Sequence, residues 1–271
     1  MKIHRISWLV LLLLCTVLFF GCTADTQQAN DNVWVLAEQI NYDENGDMTN
    51  RNVYAYHDNA RNFQVHYFNR DNEEYGYTDV VENEDGTKRT ETYFAGENNA
   101  VFGQTEHTYS DTGKQLSEKQ IAANGSVSME RIWNWNADST VAEILEDGGY
   151  LYTQEYDEQG REIRSYNEKY ETVCTYADQE TVRRTTYTDN TRVEYTVIQY
   201  DTKGRVIETM DYMLDTDRTY TDEDLVSQST CVYDEDGYSY VVSFMYDHGT
   251  TKTIGEMHFI YKPLSEVLVG K

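Results

Sequence analysis

Proline is nearly missing from this chain. Pro263 stands alone among 271 residues, so no Pro-rich linker divides the polypeptide. Basic side chains are scarce too: 22 Lys and Arg face 48 Asp and Glu, for a formal net charge of −26. A polyanion requires clustered Lys and Arg, so no nucleic-acid partner is expected. Aliphatic side chains are also few. In residues 22–271, Leu, Ile, Val and Phe number 43 of 250, about 17%. That share, with this charge, ordinarily signals disorder. The 24 Tyr and the three Trp after residue 21 change the answer, raising the count to 70 of 250, about 28%. Tyr buries a ring while its hydroxyl stays wet. The core is therefore expected to be thin, aromatic and close to solvent, which suits a broad sheet better than a thick globule.

Long apolar runs are missing except at the start. Lys2 and Arg5 precede an almost unbroken apolar stretch, Ile6 to Phe20. Its 15 residues are short for a membrane span and right for the h-region of a signal peptide. The stretch ends at Phe19-Phe20-Gly21-Cys22, which resembles a bacterial lipobox, a small residue directly before a lipidated cysteine. Phe occupies the positions where that pattern carries an aliphatic and a small residue, and Leu18 supplies the aliphatic contact one position early. The resemblance implies a signal peptide over 1–21, lipidation of Cys22, and a location on the bacterial cell envelope. The lipid would sit in the outer face of the cell membrane, or in the outer membrane of a Gram-negative cell. The competing readings are an ordinary secretory signal and an uncleaved anchor. The polar stretch that follows favours a lipoprotein with a flexible tether over 22–32. Loss of Lys2 and Arg5 would take the net charge from −26 to −28. The lipid, rather than a basic patch, would then hold the protein to the membrane.

Alternation with a period of two is widespread. Tyr240, Val242, Phe244 and Tyr246 form one row, Phe63, Val65 and Tyr67 another, and Val193, Tyr195 and Val197 a third. Thr, Val and Tyr fill these runs, as strands prefer. Asp-Gly and Asn-Gly pairs interrupt them. A phrase also repeats: Tyr156-Asp157-Glu158-Gln159-Gly160-Arg161 returns as Tyr200-Asp201-Thr202-Lys203-Gly204-Arg205. Looser copies begin at Tyr42, Tyr109 and Tyr233, and Tyr246-Asp247-His248-Gly249 is one residue short. In this phrase Tyr ends a strand, Asp accepts backbone N–H bonds, and Gly takes the positive φ that closes a type I turn with a bulge. About 12 residues per strand and turn gives roughly 15 to 19 strands. The expected fold is all-β, an antiparallel meander of hairpin repeats forming an extended, twisted or coiled sheet. It would occupy residues 33–262 as one domain, with 263–271 as a tail.

The phrase, with its flanking Tyr152, Ile163, Tyr195 and Ile207, resembles the YD repeats of bacterial Rhs and teneurin-type proteins. The resemblance implies long antiparallel hairpins coiling as a sheet. Large members of that family close the sheet into a shell around a toxin. This chain is too short to form such a shell and shows no separate toxin region, so encapsulation is not implied.

Chemistry is harder to find. No Gly-x-Ser-x-Gly elbow or phosphate-binding glycine loop is present. Asp43, Asn45 and Asp47 alternate, as do Asp215, Asp217 and Thr219. An EF-hand register would need Gly and Glu where Met48 and Tyr54, or Tyr220 and Val226, stand. Histidines 57, 66, 107, 248 and 258 lack metal-ligand spacing. No metal, cofactor or catalytic residue is expected. The remaining glycines read as turns. Cys174 and Cys231 occupy equivalent repeat positions, so two buried thiols are expected rather than a disulfide. The strongest binding feature is Arg131-Ile132-Trp133-Asn134-Trp135, where Arg131, Trp133 and Trp135 share a strand face. Such a row could stack on sugars, although paired Trp more often cover a sheet. The expected function is a non-catalytic surface lipoprotein that meets a protein or extracellular polymer. A carbohydrate-binding lipoprotein is the alternative, and a carboxylate glycosidase a more distant one.

Overall fold

A computed structural model describes residues 33–57, 59–95, 100–189, 192–247 and 252–269. The expected signal peptide, Cys22 and the tether lie outside the described residues, as do His248 and Gly249.

The strands are β1 (Trp34–Asp43), β2 (Met48–Tyr56), β3 (Phe63–Asn69), β4 (Glu74–Glu82), β5 (Lys88–Ala95) and β6 (Ala100–Tyr109). They continue as β7 (Gln115–Ala122), β8 (Val127–Trp135), β9 (Val141–Glu146), β10 (Gly149–Tyr156), β11 (Glu162–Tyr166) and β12 (Tyr170–Ala177). The last six are β13 (Glu180–Tyr187), β14 (Val193–Tyr200), β15 (Val206–Leu214), β16 (Leu225–Tyr233), β17 (Tyr240–Asp247) and β18 (Lys252–Pro263). A four-residue helix, α1 (Leu264–Val267), follows. The 18 strands form one sheet in which each pairs antiparallel with its neighbours in sequence.

The expected extended, twisted or coiled sheet is wrong. β18 pairs with β1 from Trp34↔Pro263 to Asp43↔Gly255, so the meander closes on itself. Closure leaves no edge strand to be blunted. It rests on partners more than 210 residues apart in sequence, for which no local signal exists. At about 4.8 Å between strands, and with the tilt of about 35–45° that closure requires, a round section of 18 strands would be roughly 36 Å across.

Paired residues point to the same side of a sheet, and the pairings assign two faces consistently around the whole ring. One face is the more crowded, as expected where side chains converge on the concave side. In β12, Thr172 and Cys174 are buried while Val173 and Thr175 are exposed. In β4, Gly76, Thr78 and Val80 are buried. The rows Phe63-Val65-Tyr67 and Tyr240-Val242-Phe244 lie on this inner face. The row Val193-Tyr195-Val197 points outward. It is buried because residues 215–224 fold back over it, with Tyr220 stacked on Tyr212 at 4.3 Å.

Both termini of the barrel lie at one rim, called here the near rim. Residues 263–271, expected to be a tail, begin with the last residue of β18 and continue as α1. Leu264 packs there with Val35 and Tyr56, and its N–H donates to the Val33 carbonyl at 2.7 Å. Hairpins after odd-numbered strands turn at the opposite, far rim.

Candidate functional site

The repeated phrase builds a device at the near rim. In the β10–β11 turn, Oδ1 of Asp157 accepts the N–H groups of Gln159 and Arg161, both at 2.9 Å. Asp201 does the same for Lys203 and Arg205 at 2.8 and 2.9 Å. The backbone N–H donated by Arg205 holds the Asp201 carboxyl below the usual carboxylate range. Gly160 and Gly204 each have φ of 77°, left-handed backbone that favours glycine. Tyr156 and Tyr200 end their strands, their hydroxyls bonded to Gln154 at 2.8 Å and Thr181 at 3.3 Å. These aspartates therefore serve backbone geometry.

The residue after the turn glycine does more than start a strand. The Arg205 guanidinium lies 4.1 Å from the Tyr233 ring centroid, and the Tyr233 hydroxyl donates to the Val206 carbonyl at 2.9 Å. Arg161 lies 4.4 Å from the Tyr176 ring, and Tyr176 donates to the Glu162 carbonyl at 2.6 Å. Lys114 lies 4.1 Å from the Trp135 ring, and Nε1 of Trp135 donates to the Gln115 carbonyl at 2.8 Å. Each clasp joins a turn to a neighbouring hairpin by a cation–π contact and a hydrogen bond.

Trp135 thus belongs to one of these three clasps. Arg131, Trp133 and Trp135 do share the inner face, as their spacing suggests. Arg131 is tied to Glu146 by a 2.7 Å contact. Trp133 and Trp135 stand opposite Ile144 and Ala142, whose other cross-strand partners are Tyr152 and Gln154. Ile144 and Ala142 are fully buried in this position. The two Trp therefore cover the sheet.

Cys174 and Cys231 are free thiols, separated by β13, β14 and β15. Burial pushes the Cys231 thiol up to about 11. Among the described residues, no cluster of three His, Cys, Asp or Glu suits a metal ion.

The outer wall carries charges at mid-strand. Arg51 meets Glu38 at 2.8 Å, Lys119 meets Glu130 at 3.0 Å, and Arg164 reaches both Glu155 and Glu171.

Sequence reasoning missed a feature of the far rim. Tyr75 and Phe102 sit at irregularities in the β3–β4 and β5–β6 pairings and are 50% and 68% exposed. Their rings join Tyr67 and Tyr93 in a chain: Tyr75–Tyr67 at 6.0 Å, Tyr67–Tyr93 at 5.9 Å and Tyr93–Phe102 at 5.6 Å. Gly76 makes room for it. A Cβ there would lie 2.5 Å from the Phe94 carbonyl oxygen and 3.1 Å from the Tyr93 hydroxyl. Contrary to expectation, then, Gly76 and Gly103 are strand residues rather than turns. The signal lay in two aromatic-Gly pairs, Tyr75-Gly76 and Phe102-Gly103.

No family model and no curated protein matches the chain. Solved structures give remote likenesses. A porin-like protein from Bacteroides uniformis aligns over 84% of this chain and 96% of its own, at 8% identity and a TM-score of 0.44. A porin-like protein from Bacteroides vulgatus aligns over 84% and 99%, at 10% identity and a TM-score of 0.29. The Photorhabdus luminescens Tc holotoxin pore aligns over 79% of this chain and 14% of its own, at 10% identity and a TM-score of 0.32.

Proposed function

We propose that this chain is a non-catalytic lipoprotein of the bacterial cell envelope. Its closed repeat barrel stands in water and binds a protein or an extracellular polymer. The observation that carries this reading is the outward face. A barrel that crosses a bilayer presents an apolar band to lipid, and one Arg or Lys at the midplane costs about 2–4 kcal/mol. Here the Arg51, Lys119 and Arg164 pairs occupy that face at mid-strand. Such a wall suits water, and something other than the strands must hold the protein at a membrane. The Gly21-Cys22 junction supplies it: a lipid on Cys22, a tether, and a barrel whose near rim receives that tether. The far rim then points away from the membrane.

The Trp platform gains little support from the geometry. Trp135 is committed to its clasp and Arg131 to Glu146, which leaves the two rings as cover for Ile144 and Ala142.

The experiment is palmitate labelling of intact cells expressing the wild-type chain and Cys22→Ser. The wild type should label and sediment with membranes, and Cys22→Ser should lose the label and enter the soluble fraction. Equal labelling of both would overturn the lipoprotein reading.

A further inference from the structure

The far rim combines exposed aromatics with acidic hairpins. The β3–β4 turn that leads into Tyr75 carries Asp71, Glu73 and Glu74 against Arg70, and the adjacent β1–β2 turn carries Asp43, Glu44 and Asp47. Three near-rim turns differ, because Lys114, Arg161 and Arg205 follow their glycines, whereas those at Gly86 and Gly237 continue with Thr87 and Tyr238. The ring chain is no flat platform. Successive interplanar angles are 28°, 70° and 76°, so faces and edges alternate. Stacking along a sugar polymer needs coplanar open faces. Alternating rings instead offer separate π-faces and gaps to individual side chains. A cation over an aromatic face gains about 0.5–1 kcal/mol at an exposed site, and neighbouring carboxylates raise the local concentration of cations. Contiguous exposed apolar patches rimmed by polar residues mark interaction sites, as isolated exposed rings do not.

We infer that the far mouth of the barrel, built on Tyr67, Tyr75, Tyr93 and Phe102, docks a Lys- and Arg-rich polypeptide segment. This rests on the reading of the protein as a tethered binding scaffold and names its partner class. The aromatic rings give the site its position, and the acidic hairpins give it its sign.

The test uses the lipidated full chain in neutral detergent, with a fluorescent oligolysine peptide as the probe and anisotropy as the readout. Binding should be saturable and should weaken as salt rises. The double variant Tyr75→Ala/Phe102→Ala should lose about tenfold in affinity, corresponding to about 1.4 kcal/mol, with its melting transition kept. Val232→Ala removes a similarly exposed side chain (66%) from the outer wall and should bind as the wild type does. Equal binding by the double variant would show only diffuse attraction to an acidic surface and overturn the inference. Binding of a soluble neutral glucan in place of oligolysine would overturn it in favour of a glycan. If the wild type binds no cationic peptide yet still takes a lipid on Cys22, the docking inference fails while the lipoprotein reading stands.

Discussion

The two rims are built from the same turn and finished differently. At the near rim the turns at Asp157 and Asp201, and the related one at Ser110, are followed by Arg161, Arg205 and Lys114. Each cation reaches an aromatic ring of a neighbouring hairpin. At the far rim the turns at Asp43, Asn69 and Ala122 have the same backbone bonds but are followed by Asp47, Glu73 and Ser126. Their neighbouring aromatics, Tyr75 and Phe102, stay open to solvent. At these turns the near rim commits aromatics to holding hairpins together and the far rim presents two of them, whereas the near-rim turns at Gly86 and Gly237 continue with Thr87 and Tyr238.

The largest expected difference concerns the closure at the near rim. Leu264→Ala removes a buried side chain packed on Val35 and Tyr56 and should destabilise by about 2–4 kcal/mol in urea unfolding. A loss below about 1 kcal/mol would mean that α1 does not secure the seam between β18 and β1. A smaller contrast separates the turns themselves. Arg205→Met breaks a clasp and should cost about 1 kcal/mol, whereas Glu73→Met at the matching far-rim position should stay within about 0.5 kcal/mol of the wild type. Equal effects at the two positions would dissolve the distinction between the rims.

The turns were legible because each is local. Tyr156-Asp157 to Arg161 contains every group that makes the turn, and Asp157 and Gly160 behave as their types require. The strand rows were legible for the same reason, since alternation needs only neighbours. The clasps were hidden because Arg161 meets Tyr176 while Arg205 meets Tyr233, 15 and 28 residues away, and the intervening hairpin lengths differ. Without the partner, nothing in the phrase marks Arg161 or Arg205 as a contact to another hairpin, and Trp135 reads as part of a row with Arg131 and Trp133. Closure was hidden more deeply. Ile40 and His258 pair as any two strand residues do, and nothing near either one says that the other completes a ring. Tyr75 and Phe102 stand beside glycines that read as turns, although a glycine in a strand often marks a close approach of other atoms.

One distance between β1 and β18 decides whether the ring is closed. Spin labels attached through Ile40→Cys and His258→Cys, with Cys174 and Cys231 replaced by Ala, would sit on paired outward residues of β1 and β18. In a closed barrel these are cross-strand neighbours with Cβ atoms about 5 Å apart, and the spectra should show strong dipolar broadening between the labels. In an open sheet the same positions would be separated by seventeen strand spacings of about 4.8 Å, roughly 80 Å along the sheet. Spectra without broadening, from a folded protein, would contradict the barrel.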